Sequence, residues 1–369
     1  MFKISASYHP GLISKGENKL KLHHEVEMIE LGLRELKLLS KDDFYDTKNI
    51  NLSLHLARTP VTESEAVQKN FINFLKENLS NCRKIISIGI HLTGSRYEGI
   101  GKFGFSSHFE SNKENEYRAC RFIELLQTTL EKDIWIENAN FYSGTPREVI
   151  ESWQSVRKIS ELTSAKIIAD LSHAYIDSSN VDLPVALIMG SIPWDSVIEI
   201  HLSGIIHKNG IYHDGHSEPV HEKVWELFNE YLKYYARDQS NTYVTIEHSD
   251  LDWLNRKDVY LNDFNKLSSL KKNQKKNSLI IKDTDSISYA KNYLKKIILR
   301  REKDLLNHCL SRELNFDQIF EEWLQYIDGT NKRIVFSIDE IPPCEKNFVV
   351  VGQNSLKEYI DLYKKCILD

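Results

Sequence analysis

Cysteine is scarce in this chain. Its five cysteines (Cys82, Cys120, Cys309, Cys344, Cys366) are scattered and no two form C-x-x-C, which argues against a disulfide framework and against a thiolate zinc site. Apolar runs are short as well, none approaching the ~18 residues that would span a bilayer, so no membrane partner is expected. Positive charge is not in excess. Lys and Arg total 48 against 53 Asp and Glu, a formal net charge of −5, so no global field draws the chain to nucleic acid. Met1-Phe2-Lys3-Ile4 enters a strand-like run without the basic and apolar regions of a secretory leader, and a reducing cytoplasmic location is expected. Repeats of solenoid period are missing too.

What is present is the composition of a globular protein, 41% hydrophobic and 10% aromatic over 369 residues. That length accommodates one barrel of roughly 250 residues with an extension, or two ordinary domains. Short β-like runs at 2–7, 43–45, 51–56, 84–91, 134–137, 166–170, 196–201 and 242–247 alternate with helical patterns at 20–38, 63–79, 113–130, 145–162, 219–235 and 254–271. Thr145-Pro146 is a helix start signal, with proline in the first turn. The repeated alternation predicts an α/β fold, a TIM (β/α)8-type barrel over residues 1–275. Its thinnest patterns are the run at 43–45 and the helix near 184–190. Past residue 275 the alternation stops. A basic amphipathic pattern at 286–308, a helical one at 317–326 and strand-like runs at 333–338 and 348–351 predict an α-rich C-terminal appendage, 276–369. Its basic face (Lys291, Lys295, Lys296, Arg300, Arg301, Lys303) reads as a solvated surface.

Ligand-type side chains recur where the predicted strands end. His55 closes N-L-S-L-H, His91 closes I-S-I-G-I-H, Glu137 closes I-W-I-E, and Asp170 closes I-I-A-D with His173 three residues on. His201 closes I-E-I-H and Glu247 closes V-T-I-E, while Asp214 and His216 stand at the i, i+2 spacing that aims two side chains the same way in extended backbone. One such residue is ordinarily a hydrogen-bonded structural group. Six strand ends of this kind would surround one mouth of a parallel barrel, where buried carboxylates are costly unless paired or metal-bound. Imidazole and carboxylate without thiolate suit zinc, iron or manganese, in two or three ions with bridging carboxylates.

The order His55, His91, Glu137, Asp170-x-x-His173, His201, Asp214-x-His216, Glu247 resembles the trinuclear site of the endonuclease IV and xylose isomerase-like barrels. Within that superfamily, I-E-N-A-N-F-Y (136–142), D-L-S-H-A-Y-I (170–176), E-I-H-L-S-G and D-G-H-S-E-P-V resemble the multinuclear non-haem iron oxidative enzymes, the family of the methanobactin-biosynthesis oxidase. The likeness covers residues 1 to about 255. It implies two to three iron ions, Fe(II)/Fe(III), with dioxygen as co-substrate, acting on a cysteine-containing ribosomally made precursor peptide with the help of a leader-binding partner protein. Carried over, His55 and His91 hold one outer metal, Glu137 bridges, Asp170, His201 and Glu247 complete the central site, and His173, Asp214 and His216 hold the third. Glu137, Asp170, His201 and Glu247 are then the catalytic set. The family pattern has Asn three residues after the Asp, where this chain has His173.

The leading expectation is therefore an iron-dependent, peptide-modifying oxidoreductase. The same ligand order also serves a zinc phosphodiesterase acting on abasic DNA, which the acidic charge balance disfavours. From another class, a non-catalytic metal- or peptide-binding protein would hold metal without consuming oxygen.

Overall fold

The computed structural model describes residues 1–12, 20–38, 50–79, 85–94, 109–140, 145–208, 210–236 and 241–274. Eight parallel strands close a barrel: β1 (Lys3–Ser7), β2 (Val26–Leu31), β3 (Asn51–Leu56), β4 (Ile85–Leu92), β5 (Asp133–Asn138), β6 (Lys166–Asp170), β7 (Val197–Leu202) and β10 (Tyr243–Ile246). Each pairs with its neighbour in chain order, and β10 closes on β1 with Lys3 opposite Tyr243. Between β7 and β10 the chain adds an antiparallel hairpin, β8 (Ile205–Lys208) and β9 (Ile211–Asp214).

Alternation within the strands sorts their residues. Outward positions such as Ile4, Ile29, Leu54, Ile90, Ile136, Ala169, Ile200 and Val244 join one large apolar core under the surrounding helices, as period-two patterning requires. Inward positions are sorted by height. Met28, Trp135, Ile168 and Tyr243 form a separate apolar cluster that plugs the barrel floor. Two residues further along those strands the inward face turns polar, with Glu30, Glu137, Asp170 and Thr245 all buried. A barrel interior is ordinarily filled by branched apolar side chains, so this polar upper half marks where the fold has been diverted from packing to chemistry. Gly89 belongs to it: a Cβ there would stand 2.8 Å from Ile168 Cδ1 and 3.2 Å from the His55 ring, so the missing side chain makes room for the imidazole.

The helices are α1 (Glu65–Leu79), α2 (Lys113–Leu130), α3 (Pro146–Thr163), α4 (Leu171–Asn180), α5 (Val185–Ser191), α6 (Glu222–Glu230) and α7 (Lys257–Gln274). α3 starts as its sequence predicts, with Thr145 and Glu148 forming a reciprocal capping box and proline in the first turn, an arrangement contributing about 1 kcal/mol. α6 runs on into a π turn, Tyr231–Tyr235.

Two expectations need correction, the helix at 20–38 and the second strand. Residues 20–38 are not one helix: they hold β2 followed by a 3-10 turn, Leu33–Leu38. Leu, Met and Glu dominate that stretch and favour helix locally, but the slot between β1 and β3 can be filled only by an extended segment, and tertiary pairing overrides propensity. The barrel's second strand is thus β2, and the run at 43–45 lies outside the described residues. Helix α4 and the hairpin were not anticipated. The appendage 276–369, with its helical and strand-like patterns, also lies outside the described residues.

Candidate metal centre

Five successive strands, and the residue just after β10, each deliver a side chain to the barrel mouth. His55 is the last residue but one of β3, His91 stands near the end of β4, Glu137 near that of β5, Asp170 ends β6 and His201 stands near the end of β7. Glu247 follows β10, its N–H donating to the Leu202 carbonyl at 3.0 Å. Asp170 also caps α4, accepting the His173 N–H at 2.7 Å. That cap turns the helix so that His173 faces the mouth. Asp214 ends β9 and His216 follows in the next turn.

All nine side chains expected from the sequence meet in one network. Glu137 is its centre: Oε2 lies 2.8 Å from His55 Nε2, 3.4 Å from His91 Nε2 and 3.5 Å from His201 Nδ1, and Oε1 lies 3.3 Å from His173 Nδ1. His201 Nδ1 is also 3.5 Å from Glu247 Oε1 and 4.0 Å from Asp170 Oδ2. At the rim, His216 Nε2 lies 2.7 Å from Asp214 Oδ2 and 3.5 Å from Glu247 Oε2, and His173 Nε2 lies 3.6 Å from Asp170 Oδ2 and 3.8 Å from Asp214 Oδ2. Three ligand groups of metal-binding size emerge among the described residues: His55, His91 and Glu137; Glu137, Asp170 and His173; and Glu30, His55, His201 and Glu247. The first is the expected outer trio. In the second, His173 sits with Glu137 and Asp170 rather than only with the rim pair.

The outer nitrogens and oxygens are already engaged, which leaves the inner ones free. His173 Nδ1 is 3.0 Å from the Asn138 carbonyl, His216 Nδ1 is 3.1 Å from Ser249 Oγ, and Asp214 Oδ1 accepts the Ser203 hydroxyl at 2.6 Å. Such contacts fix the tautomer of a metal-ligating histidine and aim its other nitrogen. By contrast, His55 Nε2, both nitrogens of His91 and His201, both Glu137 oxygens, Asp170 Oδ2 and His216 Nε2 are buried without a hydrogen-bond partner. Orphaned buried polar atoms are costly, and their concentration on one point fits coordination of metal ions.

Charge is shared tightly across this network. Burial works against the charged imidazoles of His55, His173 and His201, but the surrounding carboxylates hold all three well above the ordinary histidine range. Burial, with Glu247, Glu137 and Asp214 nearby, pushes Asp170 up to about 7 against the pull of His173. His216 is raised to about 10, Asp214 and Glu247 overcoming its burial. His91 is lowered, chiefly by burial.

Two further carboxylates were not among the expected residues. Glu30, inward on β2, and Glu199, inward on β7 two residues before His201, are both buried below the mouth. Glu199 carried a signal in the sequence, since E-I-H places it on the same strand face as His201. Glu30 was hidden by the helical reading of its segment.

A family model described as RiPP precursor modification enzyme MbnB/TglH/ChrH matches residues 47–250. A UPF0276 protein of Vibrio vulnificus (strain YJ016) is 30% identical over 155 residues, covering 41% of this chain and 51% of the relative. One of Caulobacter vibrioides (strain NA1000 / CB15N) is 24% identical over 181 residues, covering 48% of this chain and 62% of the relative. The Vibrio match thus spans about half the relative's length. Among solved structures, 3-keto-D-glucoside 4-epimerase from E. coli superposes with a TM-score of 0.44 at 13% identity, covering 71% of this chain and 98% of that one.

Proposed function

The chain belongs to the RiPP precursor modification enzyme family MbnB/TglH/ChrH, and from that premise we propose that it is a multinuclear iron- and dioxygen-dependent oxidase that modifies a cysteine of a ribosomally made precursor peptide. The observation that carries the reading is the cluster of orphaned, buried imidazole and carboxylate atoms around Glu137.

His55, His91 and Glu137 would hold one ion, Asp170, His201 and Glu247 with Glu137 a second, and His173, Asp214 and His216 a third. Bound iron in such a site supplies a Lewis acid for a substrate thiolate and a redox partner for dioxygen. Among the described residues the donor set is nitrogen and oxygen throughout, so a substrate thiolate would meet no thiolate from these groups. Glu137 belongs to two of the ligand groups, so it would serve two ions and its negative charge would offset part of the positive charge of both. Full burial of Glu137, Asp170 and His201 keeps bulk water from them, which strengthens every charge interaction in the site. Asp214 and His216 are the open edge, with side chains 18% and 34% exposed. An extended peptide reaches the centre from that side, and Ser203 and Ser249 hold the two rim ligands in place as it does so. A leader-binding partner protein would present the peptide there.

Anaerobically prepared protein should carry two to three iron ions per chain by elemental analysis and Mössbauer spectroscopy. A cysteine-containing precursor peptide, sought in the adjacent reading frames, should then induce a visible thiolate-to-iron charge-transfer band that its Cys→Ser version does not. Stoichiometric zinc that supports full activity would overturn the iron assignment. Nicking of abasic DNA, with no response to the peptide, would replace it with the phosphodiesterase reading.

A further inference from the structure

Beneath the proposed ligands lie two carboxylates whose role follows from the ring nitrogens they face. Glu30 Oε2 lies 3.6 Å from His55 Nδ1 and 3.4 Å from His201 Nε2, and Glu199 Oε1 lies 3.6 Å from the same His201 nitrogen. Glu30 is 3% exposed and neither of its oxygens has a hydrogen-bond partner. Glu199 accepts the Thr245 hydroxyl through Oε1, and its Oε2 is without a partner. The opposite edges of both rings look upward: His55 Nε2 to Glu137 at 2.8 Å, and His201 Nδ1 to Glu137 and Glu247, each at 3.5 Å.

A neutral imidazole has one lone pair for a metal and one N–H that needs an acceptor. His55 can share Glu137 with His91 only through Nε2, since that is the nitrogen facing both. Its N–H must then be at Nδ1, pointing at Glu30. His201 is the mirror case, with Nδ1 upward and Nε2 pointing down between Glu30 and Glu199. We infer that Glu30, supported by Glu199, is a positioning carboxylate that faces the ring N–H of both His55 and His201 and would take it when metal is bound, committing Nε2 of the first and Nδ1 of the second to the metal ions. Charge agrees with geometry. The ligand carboxylates Glu137, Asp170, Asp214 and Glu247 would leave three divalent ions with two positive charges uncompensated, and Glu30 adds a negative one inside the same buried volume. Glu30 lies before the stretch matched by the family model, residues 47–250, and the pairing of β2 with β1 and β3 brings it to the site.

The inference rests on the metal-centre part of the proposed function and not on iron or oxygen chemistry, so binding of Fe(II) and of Zn(II) tests it without turnover. In the full-length protein, Glu30→Gln should keep the same number of ions at saturating metal, but chelator competition should show affinity lowered about 10- to 100-fold for the ions held by His55 and His201. Glu30→Leu, with no acceptor, should lose more. Loss of a whole ion in Glu30→Gln, with the others bound as tightly as before, would make Glu30 a direct ligand and overturn the inference. Unchanged affinity in both variants would overturn it too. A parent protein that binds neither metal would instead end the metal-centre reading itself, whereas tight Zn(II) binding without oxygen chemistry would end only the oxidase reading.

Discussion

At the scale of single residues, metal ions entering the proposed centre would compete with protons. In the metal-free centre the carboxylates hold protons on His55, His173 and His201 well above the ordinary range, and a metal ion must displace them. The sign follows directly: low pH favours the protonated, metal-free form, so apparent affinity should rise between about pH 6 and about pH 8, with protons released on binding. Chelator competition across that range, with calorimetry in buffers of differing ionisation enthalpy, checks this, and pH-independent affinity would contradict it. His173 gives a sharper case. His173→Asn, the residue of the family pattern, should retain the metal count, and His173→Leu should lower it by about one ion; equal counts in all three forms would make His173 structural. That the nine expected side chains would meet was legible because eight of them close an apolar strand or stand two residues from another candidate, where period two dictates which way they point, and His173 follows Asp170 by three residues. Glu30 was not legible, because V-E-M-I-E-L places its apolar residues where both a helix and a strand would want them.

At the scale of elements, the hairpin carries Asp214 to the rim and is itself strapped to α4. Asn180 imitates a neighbouring strand, with Oδ1 accepting the Tyr212 N–H at 2.8 Å and Nδ2 donating to its carbonyl at 2.9 Å. Asn180→Ala should therefore destabilise the fold by about 1–2 kcal/mol, since two backbone groups lose their partner. Urea denaturation measures this, and iron analysis should show the ion nearest Asp214 bound more weakly. Undiminished stability would mean that the strap is incidental. The signal for this hairpin was present as Asn209-Gly210 between two isoleucine-bearing runs, the common two-residue hairpin turn, and Gly210 has φ 77. The density of histidines in the same stretch drew attention to its ligands and away from its turn. For α4 the obstacle was different: its helical start is written by Asp170, a residue that reads equally as a strand end and a ligand.

At the scale of the whole molecule, the barrel's closure is complete without the residues past α7. β10 pairs with β1, and α7 is tied to β2 through Lys271 and Glu27, 3.1 Å apart. A chain ending at Gln274 should accordingly stay soluble and keep its metal, with any loss confined to peptide or partner affinity; an insoluble or metal-free product would move the domain boundary. The fold class was legible here because eight strand-like runs interleaved with helical patterns admit few topologies, and a run of strands each closing on a ligand-type side chain fits a single mouth. The claim that unites these scales is that this mouth oxidises a cysteine-bearing peptide. Its most direct measurement is mass spectrometry of the precursor peptide, in its native and Cys→Ser forms, incubated with the iron-loaded protein and its partner before and after admission of oxygen. The account predicts a mass change only for the cysteine peptide and only with both iron and oxygen present; modification of the Cys→Ser peptide, or of the native peptide under anaerobic or zinc-loaded conditions, would contradict it.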